Sequence, residues 1–360
     1  MTSNYRAVVI GCGVGGQGRA GVHSIGYLHG GAYRRSDRIE LVAAADLVAE
    51  NAANYAKEFG FERTYSDYRA MLKEERPDFV SVCTWPPLHA DMVVAAAEAG
   101  AKAIWCEKPM ALSMGDVDRM IDACERNGSK LVVNHQRRFL GPFQEVRKII
   151  AAGGIGQVLT IHAGIEGWDL LSWGTHWIDM FRFFLGDQRC EWVVAQIDAR
   201  GQQRKYGHRV EDHAFTCFAF EGGAHAFLET GRTIPNAPTM RIAGTEGIID
   251  ILEGDAAAKG TIRVLSGSTN GWEYPETSET TYDFATATDR LLAQLVAWVD
   301  GGPEPSVSAR GGRATTEMIM ACYESARRGA IIDLPVEAKD FPLETLAERA
   351  SERALSAQQP

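Results

Sequence analysis

Residues 5–16 read YRAVVIGCGVGG, an apolar run rich in β-branched residues set directly against a cluster of glycines. The run has the character of a buried strand. Gly11, Gly13 and Gly16 then fit the spacing G-x-G-x-x-G. After a strand, that spacing has a physical use. Glycine lets the backbone turn tightly and lets a pyrophosphate approach a helix N-terminus with no Cβ in the way. The bland alternative is a plain glycine turn, and the next run weighs against it. IELVAAAD (39–46) is a second apolar strand ending on Asp46. A carboxylate there accepts hydrogen bonds from ribose hydroxyls and repels a 2′-phosphate. No arginine follows it in DLVAEN, so the expected cofactor is NAD. Asp46 can also cap the helix predicted over 48–59, and the two roles are compatible. The expected cofactor contacts from this region are Gly11, Gly13, Val14, Gly15, Gly16 and Asp46. One spacing is abnormal. Asp46 lies 30 residues beyond Gly16, where about 20 is usual. The surplus falls in QGRAGVHSIGYLHGGAYRR (17–35), which reads either as a surface excursion or as a lid or subunit contact.

PDFVSVCT (77–84), AKAIWCEKP (101–109) and KLVVNHQ (130–136) repeat the continuous apolar pattern, with helical periodicity between them. Strands buried on both faces and separated by helices predict a parallel, doubly wound α/β sheet over residues 1–136. Ser113 with Asp116 is a capping-box start for a helix over 114–126. Ligands of such sheets sit off the carboxyl ends of the strands. Thr84, Trp85 and His89 leave one strand end, and Glu107 and Lys108 leave its neighbour, so all five are expected near the cofactor. Pro109 biases Lys108 toward extended geometry and permits a cis bond. A lysine aimed at the nicotinamide can hydrogen-bond a substrate hydroxyl and stabilise developing alkoxide character. Glu107 would position or balance it. A surface salt pair at a helix entry is the alternative.

From about residue 137 the pattern changes. A helix (FQEVRKIIAAGG) leads to a strand (QVLTIHAGIEG), and a helix over 174–185 is followed by successive strand-like runs. That predicts an α+β domain over 137–342 with a large, mostly antiparallel open sheet. Two late helical patterns, TDRLLAQLVAWVDGG and ARGGRATTEMIMACYESARRG, are expected where the halves join, and 343–360 reads as a mobile tail. His176 and Asp179 fall near a helix start, where a buried histidine is commonly structural. Trp168 and Trp173 offer platforms for sugar C–H faces. RKYGHRVEDH (204–213) adds Tyr206, His208, Arg209 and His213, read either as extra acid–base groups or as a polar strand connection.

Composition limits the function classes. The 360 residues are 45% hydrophobic and 23% charged, with a formal net charge of −10. An acidic chain without a Lys/Arg run argues against nucleic acid and anionic membrane surfaces. No apolar stretch approaches a membrane span, and the start enters a strand at once rather than a secretory signal. Seven scattered cysteines, none in C-x-x-C spacing, read as reduced thiols of a cytoplasmic protein without a metal site.

The fingerprint glycines, ELVAAAD (40–46), TYSDYRAML (64–72), CTWPPLHA (83–90), CEKP (106–109), VNHQRRF (133–139), GGIGQV (153–158) and GTHWIDMFRFFLG (174–186) occur in one order over about half the chain. In this the sequence resembles the glucose–fructose oxidoreductase / inositol dehydrogenase / MocA family. The resemblance implies NAD(P)-dependent oxidoreduction of a sugar, cyclitol or related polyol, and a homo-oligomer built on the open sheet. It implies catalytic roles for Lys108, His176 as the base, and Asp179 as its orienting partner. With the residues of this chain around the motif, the expected substrate contacts are Arg138, Trp168, Asp169, Ser172, Trp173, His176, Tyr206 and His208. If the long first loop is an insertion, His29 falls on the family's usual histidine of the first helix. The chain departs from the family at Ser172, where many members carry an aspartate four residues before the histidine; Asp169 is a candidate substitute. That departure keeps open a redox-neutral NAD-dependent glycoside hydrolase, in which oxidation is transient. A non-catalytic dinucleotide sensor is a further alternative, disfavoured by Lys108 and His176 being present together.

Overall fold

The computed structural model describes residues 5–14, 24–201, 203–231, 239–253, 257, 261–267, 271–275 and 282–348. The chain divides into two compact units, Met1–Phe139 with Phe284–Arg313, and Leu140–Asp283 with Ala314–Pro360.

The first unit alternates strand and helix: β1 (Tyr5–Ile10), α1 (Ile25–Arg35), β2 (Ile39–Ala45), α2 (Ala49–Phe59), β3 (Arg63–Tyr65), α3 (Tyr68–Glu75), β4 (Phe79–Val82), α4 (Pro86–Glu98), β5 (Ala103–Cys106), α5 (Met114–Asn127) and β6 (Lys130–Val133). The strands pair in parallel in the order β3-β2-β1-β4-β5-β6. Strand order therefore reverses between β1 and β4, the point at which doubly wound sheets bind ligands. Every residue of β4 and β5 is buried, as the unbroken apolar runs require. Local chemistry sets the helix ends. Ser113 Oγ accepts the Asp116 amide at 3.1 Å to start α5, and Gly128 ends it in the left-handed region at φ 72°.

The second unit comprises α6 (Gly141–Ala151), β7 (Val158–Glu166), a single π-helical turn (Leu170–Gly174), α7 (Thr175–Phe184), β8 (Cys190–Asp198), β9 (Arg204–Lys205), β10 (His208–Arg209), β11 (His213–Phe220), β12 (His225–Gly231), β13 (Met240–Gly244), β14 (Gly247–Ile251) and β15 (Ile262–Ser266). After α8 (Phe284–Val299) and α9 (Ala309–Arg328), β16 (Ile332–Asp333) completes an eight-stranded sheet of order β15-β14-β13-β7-β12-β11-β8-β16. It is mixed rather than purely antiparallel: β7 and β12 run parallel. The chain between them passes through α7, β8 and β11, long enough for a crossover. β9 and β10 form a separate two-residue hairpin, with Tyr206 at φ 48° and Gly207 at φ 80°.

Two expectations change. Residues 284–313, containing α8 and the start of α9, belong to the first unit, so the second is not one continuous stretch. Arg35 of α1 makes a paired ion contact with Asp289 of α8, at 2.7 and 2.8 Å. The expected mobile tail is also ordered in its first part. Residues 342–348 are helical, Leu343 and Ala347 are buried, and Glu344 pairs with Arg209 at 3.3 Å. Residues 349–360 lie outside the described residues.

Candidate active site

At the end of β1, Gly11 and Gly13 both take positive φ, 89° and 65°. A Cβ on Gly11 would come within 2.8 Å of the Cys83 carbonyl, so only glycine lets β1 leave the sheet there. Val14 is exposed, and Gly15 and Gly16 lie outside the described residues. The helix after this turn begins only at Ile25. Its glycine, Gly26, holds the place that a third fingerprint glycine fills: a Cβ there would stand 2.7 Å from Gly11 O and 3.1 Å from Cys12 O. Ser24 Oγ donates to Cys12 O at 2.7 Å, so the chain returns beside the point where it left the turn. The interval to Asp46 is then 20 residues, the usual one, and the surplus lies between Gly13 and Gly26. More than half of the stretch expected as a long loop is α1 itself.

Asp46 does several jobs at once. Its Oδ2 accepts the amides of Cys12 and Gly13 at 2.9 and 3.0 Å, and its Oδ1 accepts the Val48 amide at 2.9 Å. The carboxylate thus fixes the glycine turn and starts α2 from the end of β2. The turn, the start of α1, which the Ser24 side chain does not cap, and a carboxylate at the second strand end fit a dinucleotide.

The Glu-Lys-Pro turn after β5 is not a surface salt pair. Glu107 is buried, and its Oε1 receives His29 Nε2 at 3.0 Å together with the Asn134 amide. Its Oε2 accepts the Lys108 backbone amide at 3.2 Å. A carboxylate only accepts, so His29 Nε2 carries the proton it donates. His29 Nδ1 lies 2.9 Å from Ser81 Oγ, which lies 2.7 Å from the Tyr33 hydroxyl. Trp105 closes the ring, stacking on His29 at 3.8 Å and donating its indole N–H to Asn134 Oδ1 at 3.2 Å. Burial pushes the Glu107 carboxyl up, but the His29 bond and charge, the Lys108 charge and the Asn134 bond outweigh it and hold the carboxyl below its ordinary range. The Lys108–Pro109 peptide is cis, and Lys108 itself is half-buried.

His89, expected near the cofactor, is wholly buried and acts as a strap instead. Its Nε2 lies 3.1 Å from Thr84 O and its Nδ1 3.0 Å from Pro109 O, joining the two strand-end turns. Burial pulls the ring's pKa down against those carbonyls. Thr84 Oγ1 donates to Met92 Sδ at 3.2 Å, whereas Trp85, at the start of α4, is 58% exposed. Arg138 is buried in the 3₁₀ turn Gln136–Phe139.

In the second unit, His176 is the second residue of α7 and is buried. Trp173, on the π turn before it, meets the His176 ring edge-on at 5.7 Å and stacks with Trp168 at 5.0 Å. Lys205 Nζ stands 4.6 Å over Trp168 and donates to Gly167 O at 3.2 Å. The same ammonium lies 3.2 Å from Asp169 Oδ2, off the hydrogen-bonding line. Asp169 Oδ1 accepts the Ser172 amide at 2.6 Å. So Asp169, the candidate substitute for the family's aspartate, caps the turn and pairs with Lys205. Ser172 is buried in that turn. Asp179 accepts the Thr315 hydroxyl at 3.2 Å, which fastens α7 to α9, and lies 3.7 Å from Arg182 of its own helix. Tyr206 is 45% exposed at its hairpin tip, and His208 is buried behind it with Nδ1 3.3 Å from Tyr206 O. Burial lowers the His208 pKa, while Asp169 raises it in part.

Sequence reasoning missed Gly26, Ser81, Asn134 and Lys205 as parts of these arrangements. Gly26 was within reach, because counting the usual interval back from Asp46 lands on it. Among the described residues no three His, Cys, Asp or Glu side chains are grouped to hold a metal ion, and no helix is long and apolar enough to cross a membrane.

The strand order, the glycine turn at its switch point and the carboxylate ending β2 define a dinucleotide-binding α/β unit. Residues 5–135 match the family described as "Oxidoreductase family, NAD-binding Rossmann fold", and residues 147–335 match its C-terminal α/β domain. The chain therefore belongs to the glucose–fructose oxidoreductase / inositol dehydrogenase / MocA family. It is 30% identical to inositol 2-dehydrogenase 3 of Saccharopolyspora erythraea, over 90% of this chain and 97% of the relative. It is 27% identical to D-apiose dehydrogenase of Paraburkholderia graminis, over 92% of this chain and 90% of the relative. The solved structure of levoglucosan dehydrogenase with NADH and levoglucosan superposes with a TM-score of 0.77 at 23% identity, over 93% of this chain and 100% of that one, a likeness of fold.

Proposed function

We propose that this protein oxidises a ring hydroxyl of a sugar, cyclitol or related polyol with NAD. The observation that carries the proposal is the anchoring of Lys108. Its backbone is tied to a buried carboxylate that is itself held by His29 and Asn134, an arrangement a surface loop does not need. NAD, when bound, accepts the hydride released from the substrate carbon. Gly11, Gly13, Gly26 and Asp46 shape the binding turn for it, and Asp46 disfavours a 2′-phosphate. Lys108 binds the reacting hydroxyl oxygen and stabilises its growing negative charge. His176 takes the hydroxyl proton, a task suited to an imidazole near neutral pH. Trp168 and Trp173 supply an apolar shelf for sugar C–H faces, and Tyr206, His208 and Arg138 complete the proposed substrate contacts. The relatives named for inositol and D-apiose oxidation support this substrate class.

The test is to incubate the purified protein with NAD and a panel of free sugars, cyclitols and glycosides, following NADH and released aglycone together. Stoichiometric NADH from a free polyol is expected. Aglycone release that requires NAD yet accumulates no NADH would replace this reading with the redox-neutral glycosidase. We further infer a homo-oligomer joined through the open sheet face, and a reducing, cytoplasmic setting in keeping with seven free cysteines.

A further inference from the structure

Glu211 belongs to none of the family motifs, yet it is buried and both of its oxygens are engaged. Its Oε1 accepts the Leu170 amide at 2.6 Å, and its Oε2 accepts the Tyr323 hydroxyl at 2.8 Å. Leu170 is the first residue of the π turn, which runs without a break into α7 and so carries Trp173 and then His176. Asp169 caps the same turn through the Ser172 amide, so two carboxylates grip five residues. They differ in their partners. Asp169 has the Lys205 ammonium beside it, whereas the hydrogen bonds to Glu211 come from neutral donors. The titratable groups facing Glu211 are Asp169 from the turn and Tyr323 and Cys322 from α9. Asp169 in turn acts on Tyr206 and His208 of the β9–β10 hairpin.

We propose that Glu211 is a positioning residue for His176, holding the π turn to α9 through Leu170 and Tyr323, and that protonation of its carboxyl loosens this hold. An ionised carboxylate offers acceptors to both donors, and charge-assisted bonds are roughly twice as strong as neutral ones. A protonated carboxyl turns one oxygen into a donor, so the Tyr323 hydroxyl must change from donor to acceptor and both bonds lose their charge assistance. The switch falls in a useful range. Burial raises the Glu211 pKa to about 7, with Asp169 adding to the rise and the Leu170 and Tyr323 bonds opposing it. The proposal rests on the reading of His176 as the base, but it can be tested without a substrate.

Two measurements separate the proposal from that reading. First, the tryptophan fluorescence of the full chain is titrated from pH 5 to pH 9 (pH values chosen for the experiment, about two units either side of neutrality), with Trp173→Phe subtracted to isolate Trp173. Infrared difference spectra follow carboxyl protonation over the same range. A Trp173 signal and a carboxyl band titrating together near neutrality, both lost in Glu211→Gln, are expected. Tyr323→Phe, which removes a donor to the carboxylate, should move the midpoint upward. Absence of the titration in wild type, or its persistence in Glu211→Gln, overturns the proposal whatever the activity. Second, once a substrate is in hand, kcat is followed against pH. Glu211→Ala should lose on the order of tenfold to 100-fold in kcat, the scale of a small misplacement, with NAD binding unchanged. Glu211→Gln, which keeps an acceptor for Leu170 and a group able to pair with Tyr323, should restore most of that loss but with a flatter profile near neutrality. A folded Glu211→Ala with wild-type kcat also overturns it. If no polyol is turned over, the functional reading fails while the fluorescence result still decides the role of Glu211.

Discussion

Glu107 and Lys108 are adjacent opposite charges in different surroundings. Glu107 lies inside the first unit and binds His29, Asn134 and the Lys108 amide, which fixes the backbone from which the lysine's charge is put to its proposed use. If that use is alkoxide stabilisation, Lys108→Ala should lower kcat on the order of 100-fold or more while NAD still binds. Steady-state rates beside a fluorescence titration of NADH check this, and near-wild-type turnover would sink the assignment. Gly26 gives a second test at this scale. A methyl group there meets backbone carbonyls that cannot swing aside, so Gly26→Ala should cost about 1–3 kcal/mol and weaken NAD binding with it. Thermal melts and NAD titrations of Gly26→Ala, run beside Gly16→Ala, compare the two candidates. An equal loss at Gly16 would restore the consecutive motif. The sequence alone favoured Gly16 because the motif is a local string, whereas the third glycine is defined by which backbone it touches. The distance to Asp46 is the one sequence signal that points to Gly26.

Among elements, strand positions and helix ends were legible because they rest on periodicity and caps: β1, β2 and β4 to β6 fall on the quoted apolar runs, and Ser113 starts α5. The short, exposed β3 carries no such signal. Buried polar networks were not legible either. Nothing in the spacing of Tyr33, Ser81, Trp105 and Asn134 shows that four elements deliver them to one carboxylate. Such a network is costly to break, since removing one member leaves the others buried and unsatisfied. Glu107 and Glu211 also give opposite signs in stability against pH. The folded pKa of Glu107 is depressed below 4.5, so its contribution is present above that value and is lost as pH falls through the folded pKa. The folded pKa of Glu211 is raised from 4.5 to about 7, so the fold loses stability as pH rises across that interval. Melting temperatures of Glu107→Gln and Glu211→Gln are therefore to be compared with wild type across pH. The deficit of Glu107→Gln should shrink below pH 4.5, and the Glu211→Gln melting temperature should gain on wild type between pH 4.5 and 7. Parallel curves for either variant would contradict its assigned shift.

At the scale of the whole molecule, the return of residues 284–313 to the first unit was hidden because helices α8 and α9 look alike in pattern, and only their contacts assign them. The larger question is what the eight-stranded sheet does with its two faces. Ile242, Ile161, Ala226, Phe218, Val193 and Ile332 stand in register across it, and all are buried. One residue along each strand, Arg241, His162, Phe227, Cys217 and Val194 form a row on the opposite face, none of them buried. Phe215 on that face is 51% exposed and Val194 37%. Solvated faces of antiparallel sheets ordinarily alternate to polar residues, so the aromatic and aliphatic side chains here suit the contact surface proposed above. A second copy of the chain meeting this face would bury them, and a stable interface of that kind covers roughly 1,200–2,000 Å². Phe215→Asp places a charge in the middle of such a surface, where it would lie buried without a partner. Light scattering on the eluted protein should therefore give a multiple of the 39.3 kDa chain for wild type and a smaller species for Phe215→Asp. The substitution is on the exposed face, away from the buried row, so NAD binding to the first unit should persist in the variant. A wild-type protein that runs as a monomer at micromolar concentration, or a variant of unchanged mass, would remove the sheet face as the site of assembly.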